Sequence, residues 1–442
     1  MIFAVAIFFI ACGDSGVNDP DDGNGNDVSL TEIPAIEEIV MYEVNFRTLE
    51  SPGFAAVTAK LDHVKSLGVN VIWLMPIYPI GEEKSVNSPY AVQNYKEVNP
   101  EFGTIDDFRK LVDAAHSNGM AVILDWVANH TAWDNPWIAN EDWYTQNSSG
   151  EIIHPPGTNW QDVADLNFNN AEMRTSMIDA LQYWVTEHKI DGYRCDAADF
   201  VPFDFWQDAI QSLNSIENRD LILLAEGART DHFTAGFQLN YSWDFYNQLK
   251  NIYVNASSAG SIFSTHANEY ATVPNGKHRL RFITNHDESA WDATPVELFG
   301  GLNGSLSTFV ISTYLGGVPL IYGSQEVGED NTISFFNNDP INWNQNSEIL
   351  DKYKSIMNYY VSSTSLKTGS LTSYSNNDIV VFTRKSGDEE ILVMVNTRNR
   401  SKSLNLPSAL QNTTWKEVFS ETDLNLGTTF SFNSFQYFVC ER

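Results

Sequence analysis

From about residue 36 onward, apolar positions arrive in short unbroken runs, separated by stretches with helical periodicity. The runs are IVMYEVNF (39–46), VNVIWLMPI (69–77), MAVILDWV (120–127), IDGYRCDA (190–197), LILLAEG (221–227), FQLNYSW (237–243), LRFITNHD (280–287) and VPLIYGSQE (318–326). Such runs, rich in β-branched and aromatic residues, read as strands buried on both faces, as parallel strands are. Between several of them lie amphipathic stretches such as AVTAKLDHVKSLG (56–68) and IDDFRKLVDAAHSNG (105–119), each stopping at a glycine that can cap a helix. Eight strands in alternation with helices is the number that closes a parallel barrel, so the pattern predicts an α/β fold, a (β/α)8 (TIM) barrel over 36–363.

The pattern breaks in three places. Residues 131–168 are rich in Trp, Asn, Asp and Pro with little periodicity, which predicts a short inserted loop domain after the third strand. Beyond 364 the helical stretches stop, and DIVVFTRKS (378–386), EEILVMVNT (389–397), TWKEVF (414–419) and TFSFNSFQYFVCE (429–441) predict a C-terminal antiparallel β-sandwich over 364–442. At the other end, MIFAVAIFFIAC (1–12) is apolar but too short to span a bilayer, the profile of an export signal without its usual positive charge. FIAC resembles a bacterial lipobox, which implies a lipid on Cys12 and a lipid-anchored protein at the cell envelope or surface, with a secreted or periplasmic one as the alternative. Residues 13–35 then read as a flexible, polar tether.

The net charge of −31 over 442 residues argues against nucleic acid or an anionic membrane surface as a partner, so membrane contact is expected only through the anchor and the substrate is neutral or cationic. A monomer is expected. Besides Cys12 only Cys195 and Cys440 remain, without a spacing pattern, and no disulfide is inferred. The 12 Trp, 18 Tyr and 26 Phe are plentiful, and flat rings suit sugar faces even though most belong to the core.

Three runs carry a carboxylate at or near their end: Asp196 in GYRCDAAD (192–199), Glu226 in LILLAEG (221–227) and Asp287 in RFITNHDE (281–288). Strand ends of this kind converge at a barrel mouth, and a pair of such acids can break a glycosidic bond. Arg194, two residues before Asp196, leaves the strand on the same face, where a guanidinium can keep the aspartate ionised. Glu226 needs the opposite, a raised pKa, which nearby like charges could supply.

Taken in order, DWVANH (125–130), ADLN (164–167), GYRCDAAD (192–199), LLAEG (223–227), FITNHD (282–287) and GVPLIYGSQE (317–326) resemble the motifs of the α-amylase family of retaining glycosidases, over roughly 36–442. The resemblance implies Asp196 as nucleophile, Glu226 as acid and Asp287 as the residue that supports the distorted sugar. It implies substrate contacts from Tyr90, His130, Arg194, His286 and Asp125, with Tyr90 in SPYAVQNYKEVNPEFGT (88–104) stacked under the sugar beside the scissile bond. Asn129 and Asp165 match positions that bind calcium in many relatives. No organic cofactor is implied.

The implied function is an exported α-amylase that cuts α-1,4 bonds inside starch- or glycogen-type glucans and their oligosaccharides. An exo-acting α-glucosidase, a maltogenic amylase or a transglycosylase shares the same chemistry, and a catalytically silent surface glycan-binding protein is the reading from another class. The sequence departs from the family at Asp199 and Phe200, where relatives often carry Lys-His, at Ser324 in place of a glycine, and at Asn94 in place of an aspartate.

Overall fold

The computed structural model describes residues 31–442. The expected signal segment 1–12, with Cys12, and most of the tether 13–35 lie outside the described residues. Strands β1 (Met41–Val44), β2 (Val71–Leu74) and β3 (Ala121–Val127) begin the barrel. Next in the chain come β4 (His130–Ala132) and β5 (Val163–Asp165), an antiparallel hairpin that anchors the insertion. The barrel is completed by β6 (Gly192–Asp196), β7 (Ile222–Ala225), β8 (Leu239–Tyr241), β9 (His278–Arg281) and β10 (Val318–Tyr322). The eight strands close in the order β1-β10-β9-β8-β7-β6-β3-β2. All pairings in the ring are parallel.

The helices obey the sequence signals. Ile105–Ser117 starts with a capping box, in which the Thr104 side chain and the Asp107 backbone and carboxylate satisfy each other. Its last turn gives way to Gly119 at φ 71°, as Phe54–Ser66 gives way to Gly68 at φ 76°, both in the left-handed region that a side chain resists. Strand register, more than the helices, decides which side chains meet at the barrel mouth. Asp125 lies beside Arg194, Val127 beside Asp196, and Cys195 beside Ala225, so Asp196 and the residue after Ala225 reach the rim together while Asp125 and Arg194 sit one pleat below.

One expectation fails in an informative way. The run 280–287 does not stay a strand up to its acid: β9 stops at Arg281, and Asp287 sits in the first turn of the helix His286–Trp291. The cause is local, because the Asn285 side chain accepts the Glu288 N–H and caps a new helix there.

The C-terminal region consists of β11 (Ser370–Tyr374), β12 (Ile379–Ser386), β13 (Glu389–Asn396), β14 (Lys402–Asn405), β15 (Thr413–Glu417), β16 (Asp423–Leu426), β17 (Thr429–Phe432) and β18 (Tyr437–Glu441). Six of them form one antiparallel sheet, β11-β12-β13-β18-β15-β16, against the two-stranded sheet β14-β17. The stretch 429–441, expected as one strand, divides at Asn433–Gln436, where Phe435 takes φ 52°. Its halves then join different sheets. Within β12 and β13 the two faces have separate destinations. Ile379, Val381, Leu392 and Met394 pack with Leu404, Trp415 and Phe432. Val380, Phe382, Ile391, Val393 and Val395 join the barrel's core instead. Burial on both faces is why these strands read as unbroken apolar runs rather than alternating ones. Cys195 and Cys440 are free and buried, and no helix among the described residues is long and apolar enough to cross a membrane.

Candidate functional site

Asp196 is the final residue of β6 and Glu226 directly follows β7, so both carboxyls emerge at the same end of the barrel. Between them lies the fully buried Arg194. Its Nη1 donates to Asp125 Oδ1 at 2.7 Å and to Asp196 Oδ1 at 2.9 Å. Its Nη2 lies 2.8 Å from Glu226 Oε1, without the alignment of a hydrogen bond. The other Glu226 oxygen accepts the Ala197 N–H at 2.7 Å. One guanidinium therefore bridges the two acids, which places them on the scale of the about 5 Å separation that retaining hydrolysis needs.

A second chain of polar groups fixes Asp125 from the opposite side. Trp73 Nε1–H and Tyr90 O–H both donate to Asp125 Oδ2, each at 3.1 Å. The Tyr90 oxygen lies 2.7 Å from His286 Nε2, and His286 Nδ1 bonds to the buried Glu43. A doubly protonated His286 satisfies both contacts, giving to Glu43 and to Tyr90, which in turn gives to Asp125. Asp287 Oδ2 lies 3.4 Å from His286 Nε2, with its side chain partly open to the cavity.

Arg194 and Asp125, for which the resemblance implies substrate contacts, are wholly buried under the floor beside the acids and are not among the side chains that line the cavity. The reason is their position one pleat below the rim, at the level of Trp73 and Tyr241, whose hydroxyl accepts from Arg194 Nε at 3.2 Å. Tyr90 does line the cavity, but its ring is stacked on His286, 5.4 Å between centroids. His130 lines it too.

The protonation states follow from burial and charge. Burial raises Glu226 to about 7, with Arg194 opposing and the charges of Asp196 and Asp287 adding to the rise. Like charges were expected to be the cause, and they come after desolvation. Asp196 is also raised, to about 6, because burial outweighs Arg194, which was expected to hold it low. Asp125 goes to about 6 for the same reason. Burial would lower His286, yet Asp287 and Glu43 carry it up to about 9. Burial lowers His130 to about 4, which leaves it a neutral hydrogen-bonding group. The rise at Glu226 is in the direction that a proton donor requires.

The cavity above the acids measures about 540 Å³. Its walls are strongly aromatic: Tyr90, Trp160, Trp291, Phe335 and Phe336 join Val86 around Asp196, Glu226, His286 and Asp287. Sequence reasoning missed Glu43, Trp73, Trp160 and the Phe335–Phe336 pair. Glu43 carried a signal, since a lone acid within an apolar run on a barrel strand has nowhere to point but inward or into the helix layer. Trp160 and the phenylalanines carried none, because they sit in loops without periodicity.

Asn129 and Asp165 come together at the base of the insertion, where Asn129 Nδ2 donates to His130 Nδ1 at 3.2 Å and Asp165 pairs with His130 across the hairpin. Two side-chain oxygens fall short of the about six to eight that calcium takes. No group of three or more His, Cys, Asp or Glu able to hold a metal exists among the described residues.

Comparison with known proteins points to one family. Residues 50–161 match the family description "Alpha amylase, catalytic domain", and residues 370–439 match "Maltogenic Amylase, C-terminal domain". Alpha-amylase MalA of Haloarcula japonica is 27% identical over 336 residues, 72% of this chain but only 48% of that relative's length. Alpha-amylase 2 of Dictyoglomus thermophilum is 26% identical over 411 residues, covering 87% of this chain and 70% of the relative. The crystal structure of an α-amylase from Lactobacillus plantarum superposes with a TM-score of 0.83 at 26% identity, over 92% of this chain and 99% of that one. With barrel, motif order and paired carboxyls in agreement, the chain is a glycoside hydrolase similar to the α-amylase family in both its barrel and its C-terminal domain.

Proposed function

We propose that this enzyme is a retaining hydrolase of short α-1,4-glucans, malto-oligosaccharides and cyclic maltodextrins, acting in the manner of a maltogenic amylase or cyclomaltodextrinase. The observation that carries this reading is the cavity: about 540 Å³, hemmed in by Tyr90, Trp160, Trp291, Phe335 and Phe336, a size suited to a few sugar rings. The match of residues 370–439 to the C-terminal domain of maltogenic amylases supports it. So does the 24% identity over 392 residues to a cyclomaltodextrinase from a Bacillus species.

In this reading the Asp196 carboxylate attacks the anomeric carbon while Glu226 gives its proton to the departing glycosidic oxygen, forming a covalent glycosyl-enzyme. Glu226, now ionised, takes a proton from water, whose oxygen attacks the same carbon and restores Asp196. Arg194 keeps both acids fixed, and Asp287 with His286 and His130 faces the sugar hydroxyls. His286 lies 3.4 Å from Asp287 Oδ2 and positions that side chain where the oxocarbenium-like charge develops.

A second reading, internal cleavage of long glucans, is favoured by one observation. A groove of about 630 Å³ lined by Lys84, Trp133 and His154 shares Val86, Asn159 and Asp162 with the cavity, so the two adjoin. Incubation with amylose, pullulan, dextran and maltotriose, with products sized by chromatography, separates the two. Maltose or glucose as the main early product from amylose, with rapid use of maltotriose, supports the first. A spread of long oligosaccharides from amylose overturns it. Export with a lipid on Cys12 is likewise proposed, and loss of envelope association in Cys12→Ser is its test.

A further inference from the structure

Glu226 stands one residue beyond the end of β7, and the permissive Gly227 follows it, so the acid's place depends on what holds the loop 226–229. In the turn after β6, three successive residues meet that loop in order. The Ala197 N–H donates to Glu226 Oε2 at 2.7 Å, and the Ala198 N–H to the Glu226 carbonyl at 3.0 Å. Asp199 then takes two further N–H groups: Ala228 donates to its Oδ2 at 3.1 Å and Arg229 to its Oδ1 at 3.3 Å.

The Asp199 carboxylate thus fills a nest of consecutive backbone N–H groups, an arrangement that suits an anion and makes charge-assisted bonds. The buried His232 adds a third contact, its Nε2 lying 3.3 Å from Asp199 Oδ1. Arg229 returns the tie through Nη1, which donates to the Asp199 and Val201 carbonyls at 2.9 and 3.1 Å. The fit is tight, since a Cβ on Gly227 would collide with the Asp199 carboxylate. Ala197 takes φ 43°, in the left-handed region that a side chain resists, and its bond to Glu226 offsets that cost. Asp199 is not among the residues that line the cavity. The lysine that relatives often carry at this position has donors and no acceptor, and could not take these N–H groups.

We propose that Asp199 is a positioning residue for the acid: its carboxylate pins the loop 227–229 and so holds the Glu226 carboxyl toward the glycosidic oxygen, without touching the sugar. This rests on the retaining hydrolase reading, with Glu226 as the proton donor. Arg194 and the Tyr241 N–H, which donates to the Gly227 carbonyl at 3.2 Å, still hold the loop when Asp199 is lost, so the acid shifts and is not set free. A shift of about 1 Å in a catalytic group costs on the order of 10² in rate. Here the cost falls on one event, the protonation of the departing oxygen. A substrate whose leaving group departs as a stable anion has no use for that proton.

The test uses the intact enzyme and compares kcat/KM, which reports formation of the glycosyl-enzyme, on maltotriose and on α-maltosyl fluoride, whose fluoride leaves unprotonated. Asp199→Ala is expected to lose about 10- to 100-fold on maltotriose and less than about threefold on the fluoride. Asp199→Asn, which keeps an accepting oxygen, should return to within about threefold of wild type on maltotriose. Equal losses of Asp199→Ala on both donors, or no loss on maltotriose, overturn the positioning role while leaving the hydrolase reading intact. Where a melting curve shows Asp199→Ala unfolded, Arg229→Met, which releases the turn at the Asp199 and Val201 carbonyls, is read by the same comparison and against the same outcomes. Glu226→Gln is the reference: a loss on maltotriose with the fluoride spared supports Glu226 as the acid, and equal losses overturn that assignment and the positioning role with it.

Discussion

Two buried arginines sit at opposite extremes of charge balance. Arg194 at the barrel mouth faces Asp125, Asp196 and Glu226, so acids outnumber the cation three to one. Arg281, at the end of β9, pairs with the single carboxylate Glu269, donates to the Gly316 carbonyl at 2.9 Å, and meets His266 Nδ1 at 3.0 Å, with Arg384 close by. In the first cluster burial raises Asp196 and Glu226 and the surplus of acid over one guanidinium adds to the rise, so protons bind readily and both lie near neutrality. In the second the cation is matched, and burial, reinforced by Arg281 and Arg384, takes His266 down to about 3. A surplus of buried acid makes a place for proton transfer; a balanced pair makes a joint.

Removing the proton carriers should set the two clusters furthest apart. Glu226→Gln and Asp196→Asn are each expected to lower kcat on maltotriose by about 10²- to 10⁴-fold, and activity within tenfold of wild type in either would show that the mouth's acids are ornamental. Next come the arginines. Arg194→Met and Arg281→Met are each expected to cost about 3–5 kcal/mol in urea unfolding, because each strands a buried carboxylate. Only the first should abolish turnover, and equal turnover losses would erase the distinction between the clusters.

Acidity separates the clusters by sign. Carboxyls held at about 6 and about 7 when folded, against about 4 unfolded, bind protons more tightly in the native state, so their contribution to stability declines as pH rises from about 4 to 7. His286, raised to about 9, adds stability that is complete below about 6.5 and lost as pH climbs to 9. His266 does the reverse: its stabilising share is present above about 6.5 and disappears as pH falls toward 3. Melting temperatures of His266→Gln and Glu226→Gln relative to wild type, from pH 4 to 9, should diverge in opposite directions. In kcat/KM the same acids predict a narrow bell with limbs near 6 and 7, and a flat profile over that range contradicts the pairing.

More modest losses belong to the edges of the mouth. Glu43→Gln removes one of the two anions that keep His286 charged and should lower kcat about tenfold, with His286 titrating closer to neutrality by NMR. Trp291→Ala, a ring 68% exposed, should raise KM for maltotriose by about three- to fivefold.

The barrel was legible because parallel strands write themselves as unbroken apolar runs, and the acids at 196 and 226 because strand ends are fixed by those runs. Asp287 was legible as a residue and not as a position, since a single capping asparagine at 285 converts strand into helix and no periodicity announces it. The Glu43–His286–Tyr90–Asp125 chain joins residues up to 243 positions apart, and such closure is visible only once the ring has closed. The aromatic walls were illegible for a different reason: Trp160, Phe335 and Phe336 look like any other loop rings until the loops are placed over a carboxyl pair.

The two-faced burial of β12 and β13 has a practical reach beyond the chemistry. Cutting the chain after 363 would leave the barrel without Val380, Phe382, Val393 and Val395, and would strip Leu315 of the guanidinium from Arg384 that caps its carbonyl. The trailing sheet is thus a wall of the catalytic unit and not cargo attached to it. Anyone who grafts this enzyme's mouth onto another scaffold must carry the tail along or furnish a greasy surrogate in its place.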